Sequence, residues 1–139
     1  MCGIAGIIKF NGSSISTNEI DELTDSLAHR GPDGRGTWFN QNKNIALGHR
    51  RLSILDLSDA GHQPMISKDG FLTLVLNGEI FNFIEVKNEL KDKGHTFISH
   101  TDTEVVLTAY KQWGLKMLDK FNGMWAMAIY NSKTHCLTL

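Results

Sequence analysis

Met1-Cys2-Gly3-Ile4-Ala5-Gly6 opens the chain, and the residue that matters in it is Cys2. Removal of the initiator methionine would leave a thiol and an α-amine on one residue. The α-amine has a reference pKa of about 7.7–8.0, so a large share of it is an uncharged base near neutral pH. A nucleophile activated by its own terminal amine is one route to covalent catalysis. Gly3 and Gly6 permit close backbone approach, and Ile4, Ile7 and Ile8 read as the start of a buried strand. By position alone, the simpler reading of Cys2 is a chance residue of a short apolar strand; the motifs downstream shift that weight.

The chain has 139 residues and a formal net charge of −1. That length suits one domain, or part of one, with a real core. The charge balance gives no push toward nucleic acid or an anionic membrane, and neither is expected as a partner. Cys2 and Cys136 are too few for a disulfide framework. No basic segment precedes an N-terminal apolar run, and no stretch is long enough to span a bilayer. The expectation is a soluble, cytoplasmic protein. The six histidines have no metal-ligand spacing, so no metal site is assigned.

Residues 3–9 read as a strand. Ser16 with Glu19 has capping-box spacing, and Ile20, Leu23 and Leu27 follow at helical spacing, which predicts a helix to about Ala28. His29-Arg30-Gly31-Pro32-Asp33-Gly34 stops it. Thr37–Phe39 and Ile45–Leu52 read as a hairpin, and Phe71–Leu76 as a buried strand running into Asn77-Gly78-Glu79. Asn82 with Glu85, and Thr101 with Glu104, signal two further helix starts, the first helix ending at Gly94 and the second at Gly114. Phe97-Ile98 reads as a brief extended piece, Leu115–Phe121 as a short helical turn, and Met124–Tyr130 and Cys136–Leu139 as strands, with Cys136 a buried strand residue. The alternation of strands and helices fits a layered α+β domain.

Four clusters then require one explanation: Cys2; Gly48-His49-Arg50-Arg51-Leu52-Ser53-Ile54-Leu55-Asp56; Asn77-Gly78-Glu79; and Thr101-Asp102-Thr103-Glu104. They are parts suited to a small zwitterion with a reactive amide. An arginine grips a carboxylate with two parallel hydrogen bonds, and Asp102 or Glu79 can pair with an ammonium. The Asn77 side-chain NH₂ and the Gly78 backbone N–H can cradle an oxyanion. Each cluster has a plainer reading as well. Arg51 reads as a surface charge, Asn77-Gly78 as a type I′ turn, and Asp102 as a helix N-cap residue worth about 1 kcal/mol.

The order of these motifs, with Arg30-Gly31-Pro32-Asp33-Gly34, Gln63-Pro64-Met65, Asn77-Gly78-Glu79-Ile80-Phe81-Asn82, Gly94-His95 and Phe121-Asn122-Gly123-Met124-Trp125-Ala126, resembles the N-terminal glutaminase domain of the asparagine synthetase family. That domain is a class II glutamine amidotransferase of the N-terminal-nucleophile type. The resemblance covers residues 1–139 and implies a four-layer αββα sandwich with antiparallel sheets.

Carried over by motif, the resemblance implies that Cys2 attacks the glutamine side-chain amide, with its α-amine as base, through a thioester that water resolves to glutamate. Asn77 and Gly78 match the oxyanion hole, Arg51 the residue gripping the substrate α-carboxylate, and Asp102 the one holding its α-ammonium. Leu52, Ser53, Ile54, Leu55 and Glu79 match segments lining the glutamine pocket. The family's domain runs beyond position 139 and is followed by an ATP-binding synthetase domain with a pyrophosphate loop; no such loop occurs in this sequence. The expectation is therefore a C-terminally incomplete sandwich: a fragment, a shortened expression product or a split subunit. No cofactor is expected in this chain, with ATP and Mg²⁺ belonging to the synthetase domain or subunit that would be its partner. An open apolar edge at Leu137–Leu139 predicts self-association through the last strand. Two alternatives to glutamine hydrolysis for asparagine synthesis stay open: a catalytically silent glutamine-binding or assembly module, and a glutaminase serving amidation of a sugar acid or another carboxylate.

Overall fold

Strand β1 (Gly3–Ile8) buries Gly3 and half-buries Ile4, Ala5 and Ile7, while Gly6 and Ile8 are exposed. Ala5 and Ile7 face a helix, while Ile4 packs toward a second sheet with Leu47 and Val75. The computed structural model describes residues 2–54 and 58–139. Helix α1 (Thr17–Ser26) starts on the expected box: the Ser16 hydroxyl accepts the Glu19 N–H at 3.3 Å, and the Glu19 carboxylate accepts the Ser16 N–H at 2.7 Å. It ends two residues earlier than its spacing suggests, and its inner face is Ile20 and Thr24, with Leu23 left 45% exposed.

Strands β2 (Gly34–Phe39) and β3 (Ile45–Arg51) form the expected hairpin, and β1 adds antiparallel to the other side of β3, giving the order β1-β3-β2. The second sheet has the order β4-β5-β6-β7, formed by β4 (Met65–Ile66), β5 (Leu72–Ile80), β6 (Gly123–Asn131) and β7 (Cys136–Thr138), all antiparallel. Helices α2 (Phe83–Asp92) and α3 (Asp102–Trp113) cover its outer face, burying Leu90, Val105 and Val106 against Leu74, Leu76 and Ile80. The layers therefore run helix, sheet, sheet, helix, and the fold is an α+β sandwich with antiparallel sheets.

Several local expectations change. Strand β5 does not stop at Leu76; Asn77-Gly78-Glu79 continues it, paired with Ala126, Trp125 and Met124, so these residues are not a turn. Asn82 precedes α2 without capping it, because its amide is taken by tertiary partners: its Nδ2 donates to the Lys120 carbonyl at 2.9 Å and its Oδ1 accepts the Asn122 N–H at 2.8 Å. Thr101 rather than Asp102 caps α3, and the Glu104 carboxylate turns to the N–H groups of Ile98 and Ser99 instead of closing a box. Cys136 is exposed, since β7 is the edge of its sheet. A 3-10 turn (Asp59–Gly61) and the two-residue β4 occupy the connection that has no periodicity to announce them.

Candidate active site

Register brings the first cluster to the second. Gly3 lies opposite Arg50 in the antiparallel ladder, so Cys2 falls beside the end of β3. Its half-buried Sγ accepts the Leu52 N–H at 3.4 Å and sits 3.8 Å from the Leu52 carbonyl. The Arg30 Nε donates to the Cys2 carbonyl at 2.9 Å, the Arg50 Nε to the Gly31 carbonyl at 3.1 Å, and the Asp33 carboxylate accepts the Ser53 N–H at 2.8 Å. The Arg30–Gly34 loop thus clamps both the Cys2 backbone and the segment after β3.

Arg51 leaves the end of β3 and donates from Nη1 to the Ser58 carbonyl at 2.9 Å. A Cβ at Gly61 would collide with its guanidinium, so the 3-10 turn needs glycine there for the cation to lie against it. Across the cavity, Asp102 is buried at the start of α3, and its Oδ2 accepts the Ile80 N–H at 3.0 Å. Burial pushes the Asp102 carboxyl above the ordinary aspartate range, the neighbouring Glu79 charge adds to this, and the Ile80 and Thr103 N–H groups oppose it.

The resulting cavity is about 130 Å³. Cys2, Arg51, Leu52, Ile54, Gly78, Glu79 and Asp102 border it, joined by Gly61, Gln63, Leu76, Thr101, Thr103 and Met124. It offers one guanidinium, two carboxyl groups and a thiol, the charge pattern of a pocket for an amino acid carrying an electrophilic side chain. Gly78 approaches β6 so closely that a Cβ would strike the Met124 carbonyl and the Trp125 backbone.

Two named residues lie off the cavity wall. Ser53 is engaged by Asp33, and Asn77 alternates onto the face of β5 that Val75 turns toward the other sheet, where its Oδ1 is buried with no partner among the described residues. Leu55, also named from its motif, lies outside the described residues, as does Asp56. Gln63, Thr103 and His49 fall in the quoted motifs, but the motifs assigned them no role at the site. Gln63 Oε1 accepts the Leu76 N–H at 2.6 Å, and its Nε2 donates to Thr103 Oγ1 at 3.3 Å. His49 is 1% exposed, and its Nε2 lies 3.1 Å from the Leu76 carbonyl across the two sheets. Only a polar residue inside an apolar strand, as His49 is, could have signalled this from sequence. Gln63 sits in an irregular connection where no pattern marks burial.

The family profile described as a glutamine amidotransferase domain matches residues 1–139. The chain belongs to this family. Among its relatives, a putative glutamine-hydrolysing asparagine synthetase of Methanocaldococcus jannaschii is 42% identical over 96% of this chain and 28% of its own length. The amidase chry2 of Gibberella zeae is 37% identical over 94% of the chain and 21% of its own. This glutamine amidotransferase domain therefore spans about a quarter of the curated relatives it matches. The glutamine phosphoribosylpyrophosphate amidotransferase of B. subtilis, solved with ADP and GMP, aligns with a TM-score of 0.74 at 22% identity, covering 93% of this chain and 35% of its own, and shares the fold. Among the described residues, no helix is long and apolar enough to cross a membrane.

Proposed function

We propose that this domain hydrolyses glutamine to glutamate and ammonia through a thioester on Cys2, and that the ammonia serves an ATP- and Mg²⁺-dependent synthetase domain amidating a carboxylate. The observation that carries the reading is a thiol accepting a backbone N–H in a cavity that also holds Arg51 and Asp102. Arg51 takes the substrate α-carboxylate, and Asp102 with Glu79 takes the α-ammonium. With Met1 removed, the Cys2 α-amine accepts the thiol proton, directly or through water. The sulfur forms a bond to the amide carbon, and the carbonyl oxygen becomes an oxyanion held by the Gly78 N–H, which borders the cavity. Collapse breaks the C–N bond, and the amine's proton leaves with nitrogen as ammonia. Water then attacks the thioester, giving glutamate and regenerating the thiol.

The relative named as an asparagine synthetase supports aspartate as the final acceptor. The test combines intact mass with a glutamine-like electrophile. Loss of the methionine mass and a single adduct on Cys2, suppressed by glutamine and absent in Cys2→Ala, is the expected result. A processed Cys2 that alkylates at the same rate with and without glutamine would overturn the reading and leave a silent module.

A further inference from the structure

Strand β4 pairs with β5 only at Leu74 and Thr73, so β5 runs on for six residues, to Ile80, with no strand on its outer edge. Side chains nevertheless take up part of this edge. Phe81 donates to the Asn122 carbonyl on the β6 side, so the even-numbered residues 76, 78 and 80 turn their N–H and C=O groups outward. Gln63 accepts the Leu76 N–H, His49 meets the Leu76 carbonyl, and Asp102 accepts the Ile80 N–H. Between these two fixed points lies the Gly78 amide, which borders the cavity and by the same alternation points away from β6.

We propose that Gln63 and His49 are positioning residues for the oxyanion hole: they stand in for the missing strand at Leu76 and so leave the Gly78 N–H unpaired and aimed into the cavity. A continuous β4 would have consumed that amide. The two side chains are suited to it because both are buried, at 5% and 1% exposure, and Gln63 is held at its far end by Thr103, next to Asp102. The His49 Nε2 carries the proton, since it faces a carbonyl that can only accept. This inference rests on the glutaminase reading and adds the residues that aim its oxyanion donor.

Gln63→Met keeps the volume and loses both hydrogen bonds; His49→Phe loses the donor, whereas His49→Gln returns an N–H near the Nε2 position. Measured in the full chain, Gln63→Met and His49→Phe are expected to lower kcat by about 10-fold or more with KM for glutamine within about 3-fold. His49→Gln should recover to within about 3-fold of wild type, and iodoacetamide should alkylate Cys2 equally in all four proteins. Matching circular dichroism spectra and unfolding midpoints show that the variants are folded. A rise in KM alone, or kcat within about 2-fold of wild type, overturns the inference. Should the wild type hydrolyse no glutamine, the glutaminase reading fails instead, and the Gly78 amide resonance decides the positioning role. A shift in Gln63→Met and His49→Phe with return in His49→Gln supports it, and an unmoved resonance overturns it.

Discussion

The two sheets divide labour unequally. Sheet β4-β5-β6-β7 lies under two helices, and its cluster among the described residues holds twelve buried side chains; sheet β1-β3-β2 lies under α1 alone, with a cluster of three, Ile15, Ile20 and Ala46. The thin layer carries Cys2 and Arg51, and the thick one carries Gly78 and leads into Asp102. The proposed nucleophile on a lightly packed sheet faces the proposed oxyanion donor on a heavily packed one, so the donor is the better-fixed partner. Contact between the sheets includes the small cluster of Leu47, Val75 and Ala128, the Trp38–Tyr130 ring contact and the His49–Leu76 bond.

The comparison is broken most directly by truncating one residue in each layer. Leu90 and Ile20 are both 0% exposed. Leu90→Ala is expected to cost about 4–5 kcal/mol and Ile20→Ala about 2–3 kcal/mol in denaturant unfolding, because a thinner layer collapses more readily around a cavity. Equal losses would erase the distinction between the layers.

A second test acts on the bond joining the sheets. Burial holds His49 down to about 4, the neighbouring His62 and Arg51 charges add to this, and the Leu76 carbonyl opposes it. The unfolded chain therefore binds a proton at higher pH than the folded one does. The stability from burying neutral His49 is complete above about pH 6.5 and falls by about 3 kcal/mol as the pH drops to about 4. Urea midpoints across that range should follow this slope, and His49→Gln should flatten it. An unchanged slope in the variant would move the acid sensitivity elsewhere.

Asp102 probes the other side of the site. Its raised pKa means that it loses charge at a higher pH than an ordinary aspartate, so glutamine affinity should weaken on acidification before ordinary carboxylates titrate. Asp102→Asn should raise KM by about 10- to 100-fold at neutral pH, the worth of a charge-assisted hydrogen bond, and abolish that acid limb. A limb surviving in the variant would assign it to another group. The smallest effect is reserved for the surface: Lys111→Ala removes the exposed 2.6 Å pair with Asp69 beside β4 and should cost under about 1 kcal/mol.

The sequence itself determined the elements and most of the cavity's chemistry. Ser16 and Glu19 announced α1 because a capping box is local, and β-branched apolar runs announced β1 and β5 because strand burial needs no distant partner to be written in residue type. The motif resemblance placed Cys2, Arg51, Gly78, Glu79 and Asp102 together, and the cavity contains all five. What only the tertiary structure decided was where polar side chains spend their hydrogen bonds. Asn82 looked like a cap until Lys120 and Asn122 took its amide, and Asn77-Gly78 looked like a turn until β6 extended alongside it. Gln63 had no local signal, and His49 showed only a polar residue in an apolar strand, since both act on a backbone unit 13 and 27 residues away. Periodicity and capping are short-range quantities, whereas the satisfaction of a buried donor or acceptor depends on whichever group folding brings within hydrogen-bond reach, or about 3 Å.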